Sequence, residues 1–415
     1  MGQGGKILIS NKSSYTWKRR HIHSYQMNSW DRNFPETISP GESVSVYVEW
    51  NEGAFKNKKD DSAEAFYSSE TGGMELNFSA RAKDGFNLFL QCQNFSDPCA
   101  KSGENKKLGW SHDGVIAVTI VGNQNRAGII ANNYSLANWM SFLDDHKFLS
   151  QLTIPGTHDS GALYGGDLVK CQNLSFSEQL DLGIRFLDVR CRHIDNSFAI
   201  HHGMVYQNQN FNGVLNACYS FLNNHPGETI FMCVKHEYDD KNVSRSFEET
   251  FNDYIGNSFD KWYLKNDIPV LKDIRGKIVL LRRFNANSPI GIQAHGNWND
   301  NDTFSWNIQG TDKTVSVQDA YKVNTLFNIG DKWSKVKDLL DKTSQNNGKT
   351  LFINFTSGVS AGAYPYSVAY QNNGINRRLQ QYLLEAERKQ LGVFAMDFPE
   401  RPTGSLIPLL VKTNF

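Results

Sequence analysis

No apolar run in the 415 residues is long enough to cross a bilayer. Ile278, Val279, Leu280 and Leu281 make one of the longest, far short of the ~20 residues a spanning helix needs. An excess of either charge is missing too. Lys and Arg number 43 and so do Asp and Glu, so no global field holds a nucleic-acid backbone or an anionic bilayer; nucleic acid is excluded as a partner and any membrane contact must be local. Cysteine is scarce, with six residues and no pair at two-residue metal-ligand spacing, which argues against a disulfide scaffold or a zinc ribbon. Reduced thiols are expected, with Cys92 and Cys99 the only pair placed for a local bridge. Met1 to Lys6 lack the apolar stretch of a secretion signal, and Lys6 stands where a myristoylation motif needs Ser or Thr. Cytoplasmic residence or a peripheral membrane surface is therefore expected, with leaderless release left open.

The length allows two cores, and the texture of the chain changes near residue 140. Residues 6–10, 43–50, 74–80, 86–93 and 115–121 read as short strands broken by Gly, Asn, Ser and Asp. In the second of these Val44, Val46 and Val48 alternate with Ser45, Tyr47 and Glu49, the period of a half-buried strand. Residues 1–135 are expected to form an all-β sandwich that binds lipid or carbohydrate. Trp17, Tyr25, Trp30 and Trp50 are expected on its surface beside the basic run Lys18, Arg19, Arg20, His21. The opening strand, a Ser-containing hairpin and the Pro40-Gly41 turn resemble the start of aegerolysin-like sandwich proteins.

From 138 to 415 apolar strands alternate with amphipathic helices. The strands are expected at 152–155, 186–191, 198–201, 230–236, 277–283, 351–355 and 393–398, and the helices at 214–224, 244–255, 332–342 and 375–390. Ser175 followed three residues later by Glu178 reads as a capping box. Such alternation implies an α/β fold with a parallel sheet, and the lack of any phosphate-binding glycine pattern favours a closed TIM (β/α) barrel over a doubly wound nucleotide fold.

A parallel barrel gathers its site at the carboxyl ends of its strands. Those ends supply Gly156-Thr157-His158-Asp159-Ser160, then Asp188 and Arg190, then His201-His202-Gly203, then Lys235 and Glu237, Arg283 and Asp397. Two histidines with carboxylates and several cations on one rim suit proton transfer on an anionic substrate, since imidazole both takes and gives a proton near neutral pH. A metal held by His158, His202, Asp159 and Asp188 is the alternative. Arg190 opposes it, because a permanent cation there repels a divalent ion and itself neutralises phosphate. Ser160 follows no Gly-x-Ser-x-Gly elbow, which argues against a serine triad.

Leu152-Thr153-Ile154-Pro155-Gly156-Thr157-His158-Asp159-Ser160-Gly161 resembles the opening of the X domain of bacterial-type phosphatidylinositol-specific phospholipase C. So do, in order, Arg185 to Arg190, Ile200 to Gly203, Lys235 to Tyr238, Val317 to Tyr321 and Asn354 to Gly358. The resemblance implies a distorted TIM barrel that cleaves the glycerol-phosphate bond of phosphatidylinositol or a related inositol lipid. The inositol 2-hydroxyl would attack within the molecule, giving diacylglycerol and a cyclic inositol phosphate. By the same resemblance His158 is the base, oriented by Asp397; His202 is the acid, assisted by Asp159; and Arg190, held by Asp188, stabilises charge on phosphate. Lys235, Arg283, Asp319 and Tyr321 would bind the headgroup. No cofactor is implied, and Arg in place of acidic residues implies independence of calcium. Tyr164, Trp298, Trp306, Tyr364 and Tyr366 are rim aromatics able to meet lipid, and 285–309 reads as a long loop. The competing readings are a lipid- or glycan-binding protein with a scaffold barrel, and a metal-dependent phosphodiesterase.

Overall fold

The computed structural model describes all residues except 1–2, 52, 54–56, 58, 71–72, 96–102, 111, 123–126, 132–135, 372, 387 and 402–405. Cys99 lies outside the described residues, so the Cys92–Cys99 pair does too. Two compact units divide the chain: Met1–Phe142 with Phe415, and Leu143–Asn414.

The first unit is built of strands. One sheet runs in the order Ala127–Ala131, Val115–Gly122, Gln3–Lys12, Ser43–Trp50. The other runs Thr37–Ile38, Trp17–Tyr25, Ser62–Ser69, Glu75–Arg81, Asn87–Gln93, Asn105–Gly109. Side chains of both sheets, among them Ile7, Ile9, Val46 and Val48 from the first and Ala65, Tyr67, Phe78 and Leu90 from the second, share one buried apolar core. The tryptophans correct the expectation of a surface role: Trp17, Trp30 and Trp50 are each 0% exposed. Trp30 sits on the short helix Trp30–Asn33 against Phe34, and Trp50 meets Phe86 and Trp110 edge-on. Such large rings contribute more by filling the core than by facing water. Tyr25 alone of the four is exposed. The basic run lies on the strand Trp17–Tyr25, where Lys18 pairs with Glu70 at 2.7 Å and Arg20 Nε donates to Ser68 Oγ.

In the second unit the apolar runs Ile230–His236 and Ile278–Arg283 are buried almost throughout, as strands covered on both faces must be. Ile278–Arg283, Ile230–His236, Phe186–Ile194 and Gly156–Thr157 pair in parallel in one sheet. Thr153–Ile154, Gly392–Ala395, Thr350–Phe355 and Thr314–Gln318 do so in a second. The two sheets meet at Pro155, which has no N–H to donate and separates the two pairing segments; a parallel bridge between Thr157 and Met396 completes the junction. The result is one curved run of parallel strands, with the helices Phe211–Asn224, Phe247–Ile255, Ile329–Thr343 and Ile375–Glu385 in the connections. Ser175 and Glu178 do form the capping box, each accepting from the other's backbone N–H, and Ser246 with Glu249 forms another.

Several details differ from the sequence reading, among them the parallel strand Thr314–Gln318, which it did not expect. Ser197–His202 is antiparallel to Phe186–Ile194, not a parallel barrel strand. The segment 285–309 is not a bare loop: it contains Ile292–Gln293 and Thr303–Asn307, the latter antiparallel to Thr314–Gln318. Among the described residues no helix is long and apolar enough to cross a membrane.

Candidate active site

Eight of the ten side chains expected at the site line one cavity of about 340 Å³, a volume suited to a small ligand. They are His158, Arg190, His202, Lys235, Arg283, Asp319, Tyr321 and Asp397. Asp159 and Asp188, each 0% exposed, stand behind Arg190.

His158 follows the segment Gly156–Thr157. Gly156 is required there, because a Cβ would meet Phe394 O at 2.4 Å and Phe186 Cβ at 2.5 Å. Directly after His158 the chain bends at Asp159, whose φ of 38° is unusual for a residue with a side chain. The bend is held from several sides: Asp159 N donates to Asp188 Oδ2 at 3.0 Å, Ser160 N to Asp188 O at 2.8 Å, and Gln172 Nε2 to His158 O at 2.7 Å. Ser160 is thus a structural partner of this turn; its Oγ accepts from Asp188 N.

His158 Nδ1 lies 2.8 Å from Asp397 Oδ1. A carboxylate only accepts, so Nδ1 carries the proton and Nε2 keeps its lone pair for the cavity. Burial pushes the His158 pKa down, but the Asp397 charge reverses this and leaves it above the ordinary imidazole value. Asp397 itself is placed by the strand Gly392–Ala395, and its carbonyl accepts from Asn376 Nδ2.

His202 reaches the site by a detour. The strand Phe186–Ile194 runs past the rim and turns at Asp195 and Asn196, whose φ values of 50° and 56° fit a tight hairpin. The returning strand Ser197–His202 delivers His202 beside Arg190 and Asp159. The His158 and His202 rings stand 6.4 Å apart at 88°. His202 Nδ1 is 3.2 Å from Asp159 Oδ2, yet its hydrogen bond runs to Val169 O at 2.8 Å. Both partners turn Nδ1 away from the cavity as a donor, which leaves Nε2 as the atom that faces a ligand.

Asp188 and Arg190 share a strand face through the two-residue period. Arg190 donates from Nε and Nη2 to Asp188 Oδ2 at 3.1 and 3.0 Å. Burial pushes the Asp188 pKa up, but Arg190 overrides it and holds the carboxyl well below its usual range. Asp159, by contrast, is raised by burial, despite Arg190 at 3.7 Å. Register adds a feature invisible in any single motif: Arg190, Lys235 and Arg283 are direct neighbours across three parallel strands, a row of three cations facing the cavity. Lys235 donates to Glu237 Oε2 at 2.6 Å. Burial would raise Glu237, but Arg190 and Lys235 bring it to about 2, so it stays ionised.

Another part of the cavity lining is built around Trp298, whose Nε1 donates to Asp319 Oδ2 at 2.9 Å and whose ring lies 3.8 Å from the Arg283 guanidinium. Tyr321 donates to Asp300 Oδ1 at 2.9 Å. Arg283 Nη1, Ser357 Oγ and Asp188 Oδ1 are buried without a hydrogen-bond partner, although buried polar atoms nearly always have one. Of these, Arg283 and Ser357 line the cavity, where a polar ligand can supply the missing partners.

The sequence reading missed Ser357 and Asp300 as cavity residues, and Cys171, which borders the cavity near both histidines. It also missed Lys332. That side chain is 2% exposed and donates to Gln318 Oε1, Ala320 O and Phe355 O at 3.1, 3.0 and 2.6 Å, tying together the strand ends that lead to Asp319, Tyr321 and Ser357. Burial lowers its pKa to about 7. Spacing on a helix gives no sign of such a role. Asp159 and Asp188, half of the metal set considered above, face Arg190 instead. Trp306, expected at the rim, is buried, while Tyr164 and Tyr364 are exposed as expected.

A pair of opposed imidazoles, one backed by a carboxylate, with arginine between carboxylates beside them, defines a site for acid–base chemistry on a phosphate ester. The family model for phosphatidylinositol-specific phospholipase C, X domain, matches residues 149–284. The chain is 34% identical over 277 residues to 1-phosphatidylinositol phosphodiesterase of Staphylococcus aureus (strain Newman), across 63% of this chain and 88% of that one. It is 30% identical over 302 residues to the enzyme of the same description from Listeria monocytogenes, across 69% and 87%. A solved structure from work on the modulation of membrane binding by S. aureus phosphatidylinositol-specific phospholipase C superposes with a TM-score of 0.60 at 31% identity, covering 68% of this chain and 98% of that one. The chain belongs to the phosphatidylinositol-specific phospholipase C family.

Proposed function

We propose that this protein cleaves phosphatidylinositol at the glycerol-phosphate bond by intramolecular attack of the inositol 2-hydroxyl, releasing diacylglycerol and a cyclic inositol phosphate. The observation that carries the reading is the placement of His158 and His202 with Arg190 on one cavity. His158 Nε2 takes the 2-hydroxyl proton while Asp397 stabilises the imidazolium that forms. The freed oxygen attacks phosphorus in the same molecule, so proximity replaces a protein nucleophile. His202 Nε2 gives a proton to the departing glycerol oxygen. Arg190, oriented by Asp188, meets the charge that grows on the non-bridging phosphate oxygens, where preorganised donors act most strongly. Lys235, Arg283 and Asp319 bond inositol hydroxyls, Tyr321 stacks on the ring, and the unpartnered Ser357 Oγ adds a further contact.

The curved parallel run reads as a distorted (β/α) barrel, and the two-sheet unit before it as a sandwich that binds lipid or carbohydrate. Arg190 supports turnover without calcium, since it occupies the carboxylates a metal would need. Contact with a peripheral membrane surface is supported by exposed apolar side chains on segments that lead from cavity residues: Tyr164, Leu168, Met204 at 67% and Tyr364. Diacylglycerol release from phosphatidylinositol micelles in EDTA tests the reading. Release that His158→Ala abolishes is the expected result; binding without release would favour a scaffold, and release restored only by added metal would favour a metal-dependent phosphodiesterase.

A further inference from the structure

We infer that Cys171 turns the acid–base centre into a binding site for a soft divalent metal ion, zinc being the physiological example, and that occupancy silences the enzyme. One donor atom each from His158, Cys171 and Asp397 lies within 4.8 Å of the others. The Cys171 sulfur also lies 3.8 Å from His202 Nδ1, a nitrogen that becomes a fourth ligand only by leaving Val169 O and passing its proton to Nε2. Tetrahedral zinc bound by thiolate, imidazole and carboxylate holds its donors about 3.3 to 3.7 Å apart, so small side-chain shifts convert the present cluster into a coordination shell. The set is selective by chemistry. Thiolate and imidazole suit zinc and cadmium, whereas calcium and magnesium take oxygen ligands.

Cys171 has no part in the proton relay. Its buried side chain borders the cavity, with the thiol directed to Val169 O at 3.4 Å, so an ion entering the cavity meets it directly. Arg190, the nearby cation, is matched by Asp188 at 3.0 Å and Asp159 at 3.7 Å. On binding, the thiol releases its proton to solvent as the sulfur–metal bond forms. Inhibition then follows whichever imidazole nitrogen is used. An ion on His158 Nδ1 breaks the bond to Asp397 and leaves the remaining proton on Nε2; an ion on Nε2 takes the lone pair of the base directly. The consequence for turnover rests on the function proposed above, but the binding does not.

The test uses the full chain, stripped with EDTA and exchanged into a non-chelating buffer. Cadmium chloride is titrated while the ultraviolet thiolate-to-cadmium charge-transfer band is recorded, and phosphatidylinositol cleavage is measured in parallel against zinc chloride. The expected result is a band that is lost in Cys171→Ala and Cys171→Ser, which cleave normally without metal. The zinc concentration for half inhibition should rise roughly tenfold or more in both variants. A band unchanged in both, or unchanged zinc sensitivity, overturns the inference. A Cys171-dependent band in a protein that cleaves no inositol lipid would sustain the metal site and sink the function instead; the two variants together guard against a folding defect in either.

Discussion

His158 Nδ1 and Asp397 Oδ1 are 2.8 Å apart although 239 residues separate them in the chain. Their meeting depends on the parallel pairing of the first and last strands of the second unit, Thr153–Ile154 against Gly392–Ala395. This one bond sets the tautomer of the base and raises its pKa, so it fixes both where the lone pair points and at what pH it is free.

A pH profile reads that bond directly. A base works when deprotonated, so a pKa above the ordinary imidazole value puts the acid limb of kcat/KM above about pH 6.5. Asp397→Asn removes the charge that raises it, while burial and Arg190 still lower it, so the limb should move to lower pH as the rate falls. A limb that stays in place would remove His158 as the titrating base.

In the proposed reaction His202 serves the leaving group alone. His202→Ala should lose about 10² to 10⁴ of the rate on phosphatidylinositol. On an inositol phosphate ester with a nitrophenol leaving group, which needs no proton, most of that loss should vanish, whereas His158→Ala should be equally impaired on both substrates. Equal loss in His202→Ala on both substrates would contradict the assignment.

Arg190 holds Asp188 through two donors and has Asp159 at 3.7 Å, a fork that a lysine cannot reproduce. Arg190→Lys should cost roughly 100- to 1,000-fold in kcat, about 3 to 4 kcal/mol, with a small change in KM. Calcium should not restore it. A rise in KM with kcat preserved would make Arg190 a ground-state binder only.

Lys332 acts through the strands it ties. Lys332→Met removes three buried hydrogen bonds and should lower stability by about 1 to 3 kcal/mol, read by thermal or urea unfolding. Because two of its three bonds hold Gln318 and Ala320, which flank Asp319 and precede Tyr321, KM should rise while the acid limb stays fixed. A moved limb with normal KM would refute that division of labour.

Much of the second unit was legible in the sequence because its buried strands are continuous apolar runs and its helices carry caps such as Ser175 with Glu178. The site residues were legible because they cluster at strand ends in short motifs. What escaped was tertiary. The strand Trp17–Tyr25 was hidden by a register shift between Arg19 and His21, which breaks the two-residue alternation and makes the basic run look like a surface patch. Trp17 is covered by Phe95 and Trp50 by Phe86 and Trp110, partners distant in the chain that no local pattern reports. The row Arg190, Lys235, Arg283 exists only through the register of three strands. Lys332 looks like any helix-surface lysine until the strand ends close over it.

Phosphorus NMR of the purified protein with phosphatidylinositol in mixed micelles, with EDTA throughout, bears most directly on the central claim. The expected result is the signal of a five-membered cyclic inositol phosphate, growing as phosphatidylinositol disappears and lost in His158→Ala. An acyclic inositol phosphate formed from the start, or product only after calcium is added, would contradict it.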